Sequence, residues 1–146
     1  MGKKNKSKTT PKDINEIKIC SSCNPKRYLK FNFSFINYES GSFDANDVAK
    51  LFEKIRFLSS EPYASMIFKY QGDKMRFIEN LPLSQIRKQV PHEFREIFPV
   101  ETNEKYSVFR VYNAGGPRNS RVIGMIKNTI FYIFFLDWDG KLYDHN

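Results

Sequence analysis

The sequence predicts an α+β fold: an N-terminal strand, two or more helices, and then a C-terminal antiparallel β-meander. Three observations predict it. The run KFNFSFINY, from Lys30, alternates aromatic and polar residues; FDANDVAKLFEKIRFLSS carries apolar residues at helical spacing; and the last third holds three strand-like runs joined by short polar turns. Strand and helix signals are grouped along the chain instead of alternating, which favours an α+β arrangement over a parallel βαβ one.

The elements follow in order. Residues 1–29 form a basic arm whose first half lacks apolar periodicity and is expected to be largely disordered, and residues 30–146 form a single domain. Phe31, Phe33 and Phe35 alternate with Asn32 and Ser34 as in a half-buried strand, and ESGS turns the chain. In the helix that follows, Asp44 or Ser42 caps the start, Asp47 suits the first turn, and Val48, Leu51, Phe52, Ile55 and Leu58 line one face. Ser59 or Ser60 then caps a second helix, with Pro62 in its first turn, running to about Tyr70 and closed by Gly72. KMRFIENL predicts a short strand, and LSQIRKQV and HEFREIF predict short helices, bracketed by Pro82, Pro91 and Pro99. KYSVFRVYN, SRVIGMI and IFYIFFLD are the meander strands, linked by the loop AGGPRN and the tight turn KNT. The last of them is apolar without alternation, so it is expected to be near-central and buried on both faces.

Composition adds two expectations. With 14 Phe and 8 Tyr against one Trp, aromatic packing should dominate the core. The net charge of +8 is unevenly placed: residues 1–30 hold nine Lys/Arg and two acids, a net +7, whereas the remaining fifteen basic and fourteen acidic groups leave the body at +1. Lys3, Lys4, Lys6 and Lys8 would attract polyanions without sequence preference, or would equally serve as a solubilising extension. No run approaches the roughly 20 apolar residues of a membrane helix, so no membrane partner is expected. The basic N-terminus has no apolar segment behind it, and with two cysteines this predicts a reducing, cytoplasmic setting.

Several motifs bear on chemistry. LDWDGK places two aspartates, Asp137 and Asp139, at a strand end, as a phosphoryl-transferring D-x-D loop would, but such a loop needs a parallel βαβ sheet after it, and a polar strand end is the expected role. It also lacks the ligand series of a calcium loop. Cys20 and Cys23 have metal-ligand spacing but make only half a zinc site, which His92 and His145 would have to complete; the alternative is a pair of free thiols. AGGPRNSR lacks the G-K-[ST] ending of a nucleotide loop. From Lys105 to Lys127 the chain carries Lys105, Arg110, Arg118, Arg121 and Lys127 and no acid, with Tyr106 and Tyr112 interleaved. Basic and aromatic side chains together on a sheet suit phosphate contact and base stacking. Equally, two of the arginines would pair with Asp137, Asp139 or Asp144 across the sheet.

FNFSFINY, the helix ending RFLSS, and RVIGMIKNTIFYIFFLDWDGKLYDH together resemble a family of small bacterial and phage-borne proteins with the pattern F-S-F-x-Y, a leucine-rich helix closing on L-S, and R-V-x-G-F followed by F-Y-x-x-W-L-D-x-x-H-K-L-Y. The resemblance covers most of residues 31–145, and Gly140 stands where that family often has histidine. The order of strand, helices, basic meander and C-terminal Tyr/His is also similar to RelE/ParE-type toxins. That similarity implies a RelE/ParE-like fold and a cytoplasmic endoribonuclease, a hydrolase of RNA acting by intramolecular attack of a ribose 2′-hydroxyl without metal or other cofactor. By position, Arg121 would contact the scissile phosphate, Arg110 or Arg118 would be the second clamp, His145 or Tyr143 the acid or base, and Glu93 or Glu96 a base before the meander. The implied partners are RNA or the ribosome and an antitoxin or other protein. The alternative from another class is a non-catalytic phage or mobile-element module that docks a protein partner while its basic tail attracts nucleic acid.

Overall fold

A computed structural model describes residues 27–64, 77–113 and 115–144. Six strands form one mixed sheet: β1 (Lys30–Asn32), β2 (Tyr38–Ser40), β3 (Glu79–Pro82), β4 (Lys105–Arg110), β5 (Arg121–Lys127) and β6 (Ile130–Asp137). The order is β1-β6-β5-β4-β3, with β2 also on β6. β4 to β6 make the expected antiparallel meander, β3 extends it as an antiparallel strand on β4, and β1 and β2 run parallel to β6 along its other edge. Helices α1 (Ala45–Ser60) and α2 (His92–Ile97) complete the described α+β architecture. No helix among the described residues is long and apolar enough to cross a membrane.

β6 is flanked on both edges and buried on both faces, which is why its apolar residues do not alternate. Phe131 and Ile133 pack with Leu51 and Leu58 of α1 and with Phe109 and Val122. Tyr132, Phe134 and Phe135 pack on the opposite face with Phe94 of α2, Tyr106 and Val108. Aromatic pairs run through this second layer: the Phe94 ring lies 4.7 Å from Phe134 and 5.3 Å from Tyr132. Each such pair contributes about 0.5–1.5 kcal/mol beyond its buried area.

The N-terminal strand is split. KFNFSFINY forms two three-residue strands, and the break falls opposite Ile133 and Phe134, where β6 itself bulges against β5. A local turn, in which Asn32 Oδ1 accepts from the Ser34 amide at 2.9 Å, leaves Phe33 45% exposed instead of half-buried. α1 starts as expected at Asp44, with a reciprocal cap: the Asp47 amide donates to Asp44 Oδ1 and the Asp44 amide to Asp47 Oδ2, each at 2.9 Å. Its inward stripe differs from the expected one, being Asp47, Leu51 and Leu58 with Ile55 partly packed, while Phe52 is 60% exposed. Burial of the Asp47 carboxylate rotates the helix so that Phe52 faces out. The helix expected from Ser59 to Tyr70 falls mostly outside the described residues. LSQIRKQV yields only a 3₁₀ turn, Leu83–Gln85, because Pro82 still belongs to edge strand β3, where a missing N–H is tolerated. HEFREIF is helical as expected. KNT makes a two-residue hairpin turn, with Asn128 (φ 52°) and Thr129 (φ 64°) both left-handed.

The bulge sets a tight constraint at Gly124: a Cβ there would lie 1.9 Å from the Tyr132 carbonyl oxygen, so strand β6 itself would have to move. Gly124→Ala is therefore expected to destabilise the fold by about 1–3 kcal/mol, the usual cost of overpacking. Urea unfolding should show a lower midpoint with an unchanged slope; an unchanged midpoint would show that β5 and β6 are not packed this closely.

Candidate nucleic-acid interface

The sheet register sorts the basic strands. Arg110 lies opposite Arg121, Arg121 opposite Asp137, and Ser40 opposite Asp137, so a row of polar side chains crosses β4, β5, β6 and β2 at one end of the sheet. Lys105 and Lys127 sit at the other end of β4 and β5, roughly 17 Å away at ~3.3 Å per residue. Lys127 is ion-paired with Glu104 there. The five cations between Lys105 and Lys127 therefore do not make one continuous patch. Arg118 leaves the row altogether: its guanidinium donates to Asp47 Oδ2 at 2.7 Å and to Asp139 Oδ1 at 3.4 Å. Of the two alternatives open in the sequence, Arg118 thus follows the ion-pair one.

Arg121 is the centre of the row. It is 3% exposed, its Nη1 donates to the Tyr143 carbonyl at 3.2 Å, and its guanidinium stands 4.1 Å from the centre of the Tyr143 ring. Its buried Nε has no partner among the described residues. The Tyr143 hydroxyl in turn donates to Glu79 Oε2 at 3.4 Å. Burial pushes the Tyr143 phenol up to about 12, with Arg121 opposing, Glu79 reinforcing and Arg110 opposing more weakly. Like charges directly across a ladder repel; for Arg121 the Tyr143 ring offsets part of that repulsion.

Asp137 explains how Tyr143 reaches Arg121. Its carboxylate is 0% exposed and accepts three bonds, from Ser40 Oγ at 2.8 Å and from the Lys141 and Leu142 amides at 3.0 Å each. These bonds fold residues 138–144 back over the sheet end. Gly140 completes the turn with φ +67°, and a Cβ at that position would lie 2.6 Å from the Asn119 carbonyl. A histidine side chain has no room there. From outside, Arg87 holds the returning segment through Lys141 O (3.0 Å) and Asp144 Oδ2 (2.6 Å).

A second cluster ties α1 to the β4–β5 loop. The Tyr112 hydroxyl donates to Asp47 Oδ1 at 2.5 Å beside the Arg118 bond. The Tyr112 bond, the Asp44 amide and Arg118 hold the Asp47 carboxyl below its ordinary value, against desolvation. The same bond, with burial and the charges of Asp47 and Asp44, pushes the Tyr112 phenol up to about 12.

The structure thus brings together Arg110, Arg121 and Tyr143 and separates them from Lys105, Lys127 and Arg118. Glu93 and Glu96 are exposed on α2, where Glu96 meets His92 at 3.1 Å, away from the Arg121 group. His145, the lysines Lys3, Lys4, Lys6 and Lys8, and Cys20 and Cys23 lie outside the described residues. Among the described residues no group of three or more His, Cys, Asp or Glu could hold a metal ion. Glu79 and Arg87 were not singled out by sequence, and Asp47 only as a first-turn residue of the helix. Glu79 was legible only as a residue within the expected strand KMRFIENL, and its closeness to Tyr143 depends on a contact 64 positions away.

Asp137→Ala would strand three donors and is expected to cost about 3 kcal/mol; hydrogen exchange at the Leu142 amide should rise together with the global loss, and native-like protection there would contradict the Asp137 anchor. Asp47 has a depressed folded-state pKa, so its contribution is present above the ordinary carboxyl range and fades as pH falls through the folded value. The stability gap between the wild type and Asp47→Asn should therefore be open at pH 7 and close below about pH 4; a gap constant from pH 7 to 3 in denaturant titrations would refute the ionised pair. Comparison with protein-family models, curated proteins and solved structures found no match to this chain.

Proposed function

We propose that the chain is a toxin-like protein with a RelE/ParE-like core that binds RNA, free or on the ribosome, at the sheet end carrying Arg110, Arg121 and Tyr143. The observation behind this reading is the return of Tyr143 onto Arg121, with Arg110 as the register neighbour. Those are the groups that the similarity to RelE/ParE-type toxins requires in one place, although they come from three separate parts of the chain. The buried Arg121 Nε, with no acceptor among the described residues, supplies a donor that a phosphate oxygen would satisfy.

In such a site Arg121 and Arg110 neutralise the phosphate; the ribose 2′-hydroxyl gives up its proton to water as its oxygen bonds to phosphorus, and the bond to the 5′-oxygen breaks as that oxygen takes a proton. A tyrosine phenol, ordinarily near 10, is neutral at neutral pH whether covered or exposed, so Tyr143 would give that proton. Access to Arg121 requires the Tyr143 ring to swing away, so RNA binding and movement of residues 138–144 go together.

The 3% exposure of Arg121 favours a second reading. In it the Arg121–Tyr143 pair only seals the sheet end, and the protein is a non-catalytic module that docks a partner. Incubation with mRNA-programmed ribosomes separates the two. Under the leading reading the wild type cuts mRNA, and Tyr143→Phe, which keeps the ring, lowers the rate about 100-fold or more. Binding of single-stranded RNA should weaken with salt, and Arg110→Gln should flatten the log–log slope by about 0.7, one phosphate contact. Absence of cleavage with RNA binding retained would leave the protein a binder alone, and absence of both would favour the docking module.

A further inference from the structure

The face that carries Tyr143 also carries a hollow of about 470 Å³ between the 3₁₀ turn, α2 and the start of β4. Its size lies in the range of roughly 300–1,000 Å³ usual for small-molecule sites. Its floor is apolar, formed by the buried Ile86, Val90 and Tyr106, and the Tyr106 hydroxyl is tied off on the Lys88 carbonyl at 2.8 Å. Its rim carries Arg87, Lys88 and Arg95 against one acid, Glu101. Lys88 and Arg95 make no ion pair among the described residues; Lys88 lies 4.2 Å over the Tyr38 ring. Two cations without carboxylate partners at the mouth of an apolar hollow suit a ligand with an anionic end and a flat hydrophobic end.

We infer that this hollow binds a phosphorylated nucleoside, with the phosphate on Lys88, Arg95 and Arg87 and the base against Ile86 and Val90. Position makes it the seat of a nucleotide in the RNA chain, an assignment that rests on the RNA reading above. The Arg87 amide donates to the Leu142 carbonyl at 3.0 Å, and Ile86, Val90, Tyr106, Leu142 and Tyr143 belong to one packed cluster. Arg87 is therefore a wall shared by the hollow and the segment that covers Arg121. Tyr106 lies about 13 Å from Arg110 along β4 at ~3.3 Å per residue, so an RNA strand lying on Arg110 and Tyr143 would reach the hollow with a nucleotide further along the chain.

The test uses two probes on the full chain: a fluorescent single-stranded RNA oligonucleotide followed by anisotropy, and adenosine 5′-monophosphate followed by amide shifts at Gln89 and Thr102, which also line the hollow. The expected result is that Lys88→Glu, Arg95→Glu lowers RNA affinity at least tenfold, with an unchanged thermal midpoint, and abolishes the nucleotide-induced shifts. If the wild type binds RNA, the double variant binds it equally well and Gln89 and Thr102 do not respond, the hollow is not a nucleotide site, while the RNA reading stands. If RNA is not bound but the mononucleotide shifts Gln89 and Thr102, the RNA reading fails and the hollow stands as a site for free nucleotide. Silence from both probes overturns both.

Discussion

A carboxylate removed from water costs several kcal/mol unless donors replace its hydration. Asp137 meets that condition with a hydroxyl from β2 and two amides from its own chain just beyond the turn. The arrangement fixes three things at once: where β6 stops, how β2 is held against it, and where the last described residues return. Without that return Tyr143 would not lie on Arg121, and Arg87 would have no segment to grip. The aspartate whose D-x-D spacing resembled a nucleophile loop, and whose expected role was a polar strand end, is thus a joint. Its oxygens are occupied by donors.

The two faces of the sheet serve different ends. On the α1 face the polar groups are confined to the margin, where Asp47, Tyr112 and Arg118 lock the helix to the β4–β5 loop. On the α2 face polar groups continue inward, from Glu79 through Tyr143 to Arg121, and the same face carries the hollow beside α2. A buried arginine with an unsatisfied Nε is a local cost in stability. Such costs are retained more often where a site requires them than where packing alone decides, which is in keeping with a site proposed on the α2 face.

Much of the fold was legible because it depends on local signals. The Asp44 cap, the non-alternating IFYIFFLD and the KNT turn each act within a few residues. What sequence could not show is register. Five cations in one acid-free stretch read as a patch, yet strand pairing sends Lys105 and Lys127 to one end, Arg110 and Arg121 to the other, and Arg118 to Asp47. The break after Asn32 is likewise invisible locally, since it answers a bulge 100 positions away. The grouping of Tyr143 with Arg110 and Arg121 was foreseeable only as a condition on how the C-terminal segment folds.

The parallel edge of the sheet also bears on how the molecule is made. Lys30 pairs with Ile130, so the first described strand has no ladder partner until a further hundred positions have been synthesised. At ~5–20 residues per second that interval is roughly 5–20 s. Throughout it the aromatic segment around Phe31, Phe33 and Phe35 is without its sheet. Newly made chains are therefore at their most adhesive before β6 emerges, at a stage when residues 1–30 already carry a net +7 that opposes association of like-charged copies.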